Sequence, residues 1–381
     1  MPHHAIRRSQ PAGQVVILFL IILLLSPSGR ALADEAPAAV VIDVAGPVRS
    51  IAPNDQVRDL VKGDIVPGGY TIDCGLGGHA VLEIERGDRA EISENSQIQV
   101  GELFAPEENR FSLGLLLGRL TMILKKRRGD DLVVTPTFVC GVRGTRFSVG
   151  VADDGASVVT VFQGSVDVSL DQTATNLQGK DLVSRRIDAG QEIVAESPDD
   201  TLTPRPATIQ NLEDWRSFRQ KRLKMMIPRL PQTIALFDRR IDDEIKALEH
   251  IAALIKSHTA QLTEQIEAVQ TRQRPQRGRF RSQARNLIQE VKTLRRQIQG
   301  FRRHIIRLRT IFARASSLQE KLPALKDQIG PEYPDLEQAL VRIQERKVPT
   351  HTKVRALISE LKAGLKPLAP IWNRLKKARQ P

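Results

Sequence analysis

The chain has 381 residues, a formal net charge of +13 at pH 7, 41% apolar residues and only 4% aromatic ones. That length holds about two or three domains, whose cores must rely on Leu, Ile and Val rather than on rings. Two cysteines and scattered histidines supply no ligand spacing, so neither a metal site nor a bound cofactor is expected.

His3, His4, Arg7 and Arg8 form a polar, basic start, and Val15 to Leu25 ("VVILFLIILLL") is an apolar core too short to span a bilayer comfortably. Ala31 and Ala33 follow in the small-x-small pattern of a cleavage site. Residues 1–33 therefore read as a signal peptide, with an uncleaved anchor as the alternative. The mature protein is expected in the periplasm. An oxidising compartment permits Cys74 and Cys140 to pair as a disulfide, closing a loop worth roughly 4 kcal/mol on the chain-entropy model. The other reading is two separate buried thiols.

Charge divides the chain. Residues 34–204 carry a net of −11 and residues 205–381 a net of +21. Such a composition break marks a domain boundary. From Ala39 to about Glu196, short β-branched runs alternate with turn signals, and no 3.6-residue period is sustained. "HAVLEIERGDRAEI" reads as a hairpin, and "GASVVTVFQGSVDVSL" as another with Gln163-Gly164 at its tip. Residues 34–200 are thus expected to be all-β, either a sandwich or a coiled β-solenoid.

The same segment carries Gly63-Asp64, a strand–turn–strand ending in Ser96, and Thr135-Pro136. Val142-Arg143-Gly144-Thr145, Gly164 and Ala189-Gly190-Gln191 follow in order. In this succession residues 40–200 resemble the FecR domain, the periplasmic module of iron-dicitrate sensor-regulators. The resemblance implies an all-β recognition module. Regulators of that family carry a cytoplasmic anti-sigma segment before their membrane span, whereas only residues 1–14 precede the apolar run here. A stand-alone exported version is therefore expected, and iron signalling is not carried over.

Arg143-Gly144-Thr145 has no catalytic company, since His79 is the only histidine of the β-half and no nucleophile–base arrangement accompanies it. The triplet reads as a tight corner, with Gly144 supplying a backbone conformation closed to other residues. Ligand contact through Arg143 is the alternative.

After a linker and short helix (201–230), heptads begin. Ile241, Ile245, Leu248, Ala252, Ile255, Thr259, Leu262, Ile266 and Val269 step by 4 and 3. So do Phe280, Ala284, Leu287, Val291, Leu294, Ile298, Phe301, Ile305, Leu308, Phe312 and Ala315. A 3.5-residue period marks a left-handed supercoil, and Pro275 and Gly278 break it between the runs. Residues 231–320 are expected to form an antiparallel coiled-coil hairpin about 60 Å long. Accessory C-terminal helices are expected over 321–381, with a track at Val354, Ile358, Leu361, Leu365, Leu368, Trp372 and Leu375.

Between Arg272 and Arg314 stand fourteen Lys and Arg against one acid, Glu290. Either this is a solvated face, or it contacts anionic material; the latter is expected, with Arg295, Arg296, Arg302 and Arg303 as contacts. Two readings of function follow. The first is a non-enzymatic envelope protein whose β-domain recognises or assembles and whose basic arm docks on lipid headgroups, lipopolysaccharide, peptidoglycan or an envelope protein. The second is a FecR-type component of cell-surface signalling. A nucleic-acid binder is disfavoured by the signal peptide and by the lack of a stacking platform.

Overall fold

A computed structural model of the protein describes residues 38–84, 87–101, 112–125, 131–142, 144–170, 184–196, 201–271 and 277–368. The expected signal peptide over 1–33, Arg143, Trp372 and Leu375 lie outside these residues. The chain builds a β region first and a helical region after it.

Among the described residues the β region has seventeen strands, numbered in chain order. One sheet runs β4 (Ile65–Pro67), β1 (Ala38–Ala45), β6 (His79–Ile84), β7 (Asp88–Ile92), β9 (Ser112–Ile123), β12 (Arg146–Val151), β13 (Ser157–Gln163), β16 (Gln191–Ala195) and β17 (Arg205–Pro206). The other runs β3 (Val57–Asp59), β2 (Val48–Ile51), β5 (Thr71–Cys74), β8 (Ser96–Val100), β9 again, β10 (Asp131–Val134), β11 (Phe138–Val142), β14 (Ser165–Leu170) and β15 (Ser184–Asp188).

The sheets share β9, whose first half pairs with β8 and β10 and whose second half pairs with β7 and β12. Only the β9–β10 pairing is parallel among the described ladders. The chain winds between the two layers, so the domain is a roll, built rung upon rung. Side chains alternate inward and outward with period 2. Ile72, Ile98, Leu113, Phe138, Val166 from one sheet and Leu82, Ile92, Leu120, Phe147, Val159 from the other join one buried core.

The winding corrects two expectations. The segment around Gly164 is not a hairpin: β13 belongs to one sheet and β14 to the other, so Gly164 is a corner between layers. Cys74 and Cys140 are free, buried thiols. Both sit in one sheet, on β5 and β11, with β8, β9 and β10 between them. Four strand spacings amount to about 19 Å at about 4.8 Å each, far beyond a disulfide's reach. Burial pushes the Cys74 thiol up to about 12, with Asp73 and Glu94 adding to it, and burial raises Cys140 as well.

The long helices of the helical region are α1 (Leu212–Met226), α2 (Leu230–Thr271), α3 (Arg277–Lys321), α4 (Tyr333–Glu345) and α5 (Lys347–Leu365), with one short helical turn at Lys326–Ile329 between α3 and α4. Asn211 caps α1, accepting from the Glu213 and Asp214 N–H groups, while Asp214 reaches back to the Asn211 N–H. The long helices α2 and α3 run antiparallel: His304 meets Glu244 near one end and His258 meets Glu290 farther along. Ile241, Leu248, Ala252, Ile255 and Leu262 of α2 are buried with Leu294, Ile298, Phe301, Ile305, Leu308, Phe312 and Ala315 of α3. Ile245, Ile266, Leu287 and Val291 are half-buried at the edge of that core, and the side chains of Val269, Phe280 and Ala284 lie outside the described residues. Val354, Ile358 and Leu361 of α5 complete the same core.

Candidate functional site

The family-motif residues come together as corners and turns of the roll. Thr135 Oγ1 accepts the N–H groups of Phe138 at 3.0 Å and Thr137 at 3.3 Å, and the Thr135 N–H donates to the Phe138 carbonyl at 2.9 Å. Pro136 occupies the second position of this turn, where its fixed φ suits the geometry. Val142 is buried, paired with Val166.

Gly144 then carries the chain from β11 in one sheet to β12 in the other with φ +58°. Gly164 makes the next corner at φ +81°, directly against it: a Cβ on Gly164 would lie 2.8 Å from Thr145 Cγ2 and 3.1 Å from the Gly144 carbonyl. The Thr145 and Gly164 carbonyls accept from Leu124 and Ala189. Gly190 turns β15 into β16 and donates its N–H to the Val161 carbonyl at 2.9 Å. Gly63 donates to the Val41 carbonyl, Asp64 takes Arg58 and the Val61 N–H, and buried Ser96 accepts the Arg119 N–H at 2.9 Å. These residues hold the rungs in register.

The helices are fastened to one end of the roll, through residues that sequence reading did not single out. Glu192 is fully buried; it receives Arg205, the Thr208 hydroxyl and the Thr208 and Ile209 N–H groups, so the linker is pinned before α1 begins. Trp215 of α1 then lies flat over Gly150, where a Cβ would come within 2.4 Å of the ring. Ala152, Val158 and Ile209 enclose it, and Phe218 stacks on it at 5.7 Å. On α3, Ile306 and Ala313 pack against Leu116 and Leu117 of β9.

Asp153, in the turn between β12 and β13, is the polar centre of this joint and is wholly enclosed. Its carboxylate takes Arg219 of α1 in a two-pronged contact at 2.7 and 3.0 Å, and Ser317 and Lys321 of α3 at 2.7 and 2.6 Å. Its carbonyl accepts from Arg314 at 2.7 Å, and the Arg314 guanidinium stands over the Phe237 ring. Burial alone would raise the Asp153 carboxyl, but Arg219 and Lys321 override it and hold it well below the usual carboxylate range. The next residue, Asp154, pairs with Arg222 at 2.5 Å. A cleft of about 180 Å³ opens beside the joint, lined by Glu94, Asn95, Trp215, Arg216 and Lys321. Its charges are already paired, Arg216 with Glu94 at 2.7 Å and Lys321 with Asp153.

A second contact lies at the turn between β2 and β3. There Asp55 Oδ1 meets His351 Nδ1 of α5 at 2.8 Å.

Of the four arginines expected to contact anions, Arg296 is exposed, Arg302 and Arg303 are half-buried and engaged with partners, and the Arg295 side chain lies outside the described residues. Four acids of α2 are committed elsewhere, while Asp243 and Glu264 stand exposed. Asp238 and Asp242 both bind Arg346, Glu249 binds Lys353, and Glu244 binds His304. Arg314 is turned into the joint.

Among the described residues no group of three or more metal-ligating side chains occurs, and no helix is long and apolar enough to cross a membrane. No curated protein matches the sequence. Two crystal structures of a "putative anti-sigma factor" from Parabacteroides distasonis ATCC 8503, at 2.50 and 1.65 Å resolution, are similar at 14% and 15% identity with TM-scores of 0.30 and 0.29. The match covers 36% of this chain and 59% of those chains. A family model described as FecR protein matches residues 70–167, from the start of β5 into β14 and across the stacked corners at Gly144 and Gly164. The chain thus carries a FecR domain, set within its β-roll.

Proposed function

We propose that the protein is a non-enzymatic, exported envelope component. Its FecR-containing roll serves as a recognition or assembly platform, and the α2–α3 pair, wound as a coiled coil, is a basic arm that docks on anionic envelope material. The observation that carries the reading is how the carboxylates of the arm are spent. Glu290, the one acid of the Arg272–Arg314 stretch, is bound by His258, and Asp238, Asp242, Glu244 and Glu249 of α2 turn to Arg346, His304 and Lys353. Lys292 and Arg296 stand exposed on the distal part of α3, beyond the residues that fasten the arm to the roll. Arginine's planar fork suits phosphate and carboxylate, which lipid headgroups, lipopolysaccharide and peptidoglycan all present.

Co-sedimentation of the mature chain with anionic liposomes, lipopolysaccharide and peptidoglycan tests this. Binding at low ionic strength should fall steeply with salt, because exposed charges are screened over about 8–10 Å. A Lys292→Gln/Arg296→Gln variant should bind less while keeping its helicity. Failure to sediment with any of the three at low salt would leave the arm as a spacer.

A further inference from the structure

The roll and the helical region meet at two polar contacts of opposite quality. At the Asp153 joint every carboxylate contact is a charge-assisted bond from Arg219, Lys321 or Ser317. At the β2–β3 turn three polar atoms are enclosed with no hydrogen-bond partner: Asp55 Oδ2, His351 Nε2 and Arg309 Nη1. Buried polar atoms left unsatisfied are costly, and three at one contact mark a seam poised to open.

The groups facing His351 decide what a proton does there. Asp55 approaches from the β2–β3 turn, Arg309 and the Phe312 ring from α3, and Lys347 from α5 itself, while Arg355 of α5 stands 3.8 Å from the other Asp55 oxygen. The ring contact is edge-on at 5.6 Å. With Nδ1–H donating to Asp55, neutral His351 leaves only a lone pair facing the enclosed side. Protonation places an N–H on Nε2, where no acceptor stands, and adds a positive charge beside Arg309, Lys347 and Arg355 with one carboxylate to answer them.

We propose that the Asp55–His351 contact is a proton-releasable seam, and that the Asp153 joint is the hinge on which the helical region swings when the seam opens. Burial, with Arg309 and Lys347, pushes the imidazole below its ordinary value against the pull of Asp55, in the direction the geometry requires. The closed seam is therefore at full strength above about pH 6.5, the ordinary histidine value, and weakens as pH falls below it. The Asp153 carboxylate stays ionised through that whole range, so the hinge holds while the seam releases.

Hydrogen–deuterium exchange on the full mature chain, corrected for intrinsic rates, reads this directly. Between pH 7.5 and 5, protection of amides in 52–57 and 349–355 should fall by up to about tenfold per pH unit below about 6.5. Protection of 152–156 and 314–321 should persist. His351→Gln keeps a donor for Asp55 and removes the titration, so its exchange should be pH-independent; Asp153→Asn should loosen 152–156 and 314–321 already at pH 7.5. Equal protection at both pH values in the wild type would overturn the proposal. So would an unchanged pH response in His351→Gln, or simultaneous loss at both contacts.

Discussion

Glu244 and His304 face each other across the helical hairpin at 2.6 Å, and fourteen residues along each helix the same pair recurs with its partners exchanged, His258 against Glu290 at 2.8 Å. The hairpin thus has a local two-fold relation written in its polar residues. A slip by one heptad would separate both pairs and leave His304, nearly buried, with no carboxylate. The pairs therefore specify register, a role attested for buried polar groups in helical assemblies. Glu244→Ala should cost about 1–3 kcal/mol in urea unfolding, because it strands a buried ring nitrogen. Replacing Glu244 and His304 together by Leu should recover most of that loss. A double-mutant cycle with no coupling between the two sites would refute the pairing.

Asp153→Ala removes the acceptor from buried Arg219 and half-buried Lys321. Breaking a buried pair on one side costs about 3–5 kcal/mol, so a large drop in the urea midpoint is expected. The pH behaviour follows from the depressed carboxyl: its contribution stands in full above about pH 4, the ordinary carboxylate value, and is lost only in stronger acid. Wild type and variant should accordingly converge in stability at very low pH.

Gly164→Ala forces a side chain into a left-handed backbone and against Thr145. The backbone alone costs about 1–2 kcal/mol, and the 2.8 Å approach to Thr145 Cγ2 adds to it. Thermal unfolding should show a Tm well below that of wild type. Gly63→Ala is also strained but meets no atom within 4 Å, so it should be the milder of the two.

Proteolytic nicking between residues 201 and 207 should leave two fragments that co-elute in size-exclusion chromatography at neutral pH. Trp215 on Gly150, Ile306 on β9 and the Asp153 joint all bridge the cut. Separation of the fragments without denaturant would show that these contacts do not hold the halves together.

Neither thiol should react with a disulfide reagent in the native protein at pH 8. A thiol at about 12 is almost wholly protonated there, and both side chains are buried. Both should titrate after unfolding, without a reductant. One fast-reacting thiol in folded protein would contradict the burial.

The parts of the fold legible in the sequence were those with a local period. Ile241, Leu248, Ala252, Ile255 and Leu262 of the first run and Leu294 to Ala315 of the second are buried between the two long helices, because apolar residues spaced by 3 and 4 fall on one face of a helix in any tertiary context. Gly144 does stand at a corner, with a positive φ that glycine adopts at no steric cost. The corner at Gly164 was misread as a hairpin because a Gln-Gly between alternating strands looks the same whether the next strand pairs with its predecessor or crosses to the other layer. The cysteines misled for a related reason: composition says that two thiols share a domain, but not how many strands lie between them. Asp153, Arg219 and Lys321 were invisible, being 66 and 168 residues apart in their two contacts, with nothing in the local pattern to distinguish Asp153 from any aspartate in a turn.

Strand β9 has a consequence for how the roll is assembled. Its first half offers an edge to β8 and β10, and its second half to β7 and β12, so it completes the rungs made before it and templates those made after it. Until Ile123 has left the ribosome, β7 and β8 both end in open edges, the condition that invites wrong pairing. Once β9 is in place, each later strand from β11 onward adds beside one already present. The order in which the chain is made is thus the order in which the rungs can stack, and the interval before β9 is when a young chain most needs a chaperone.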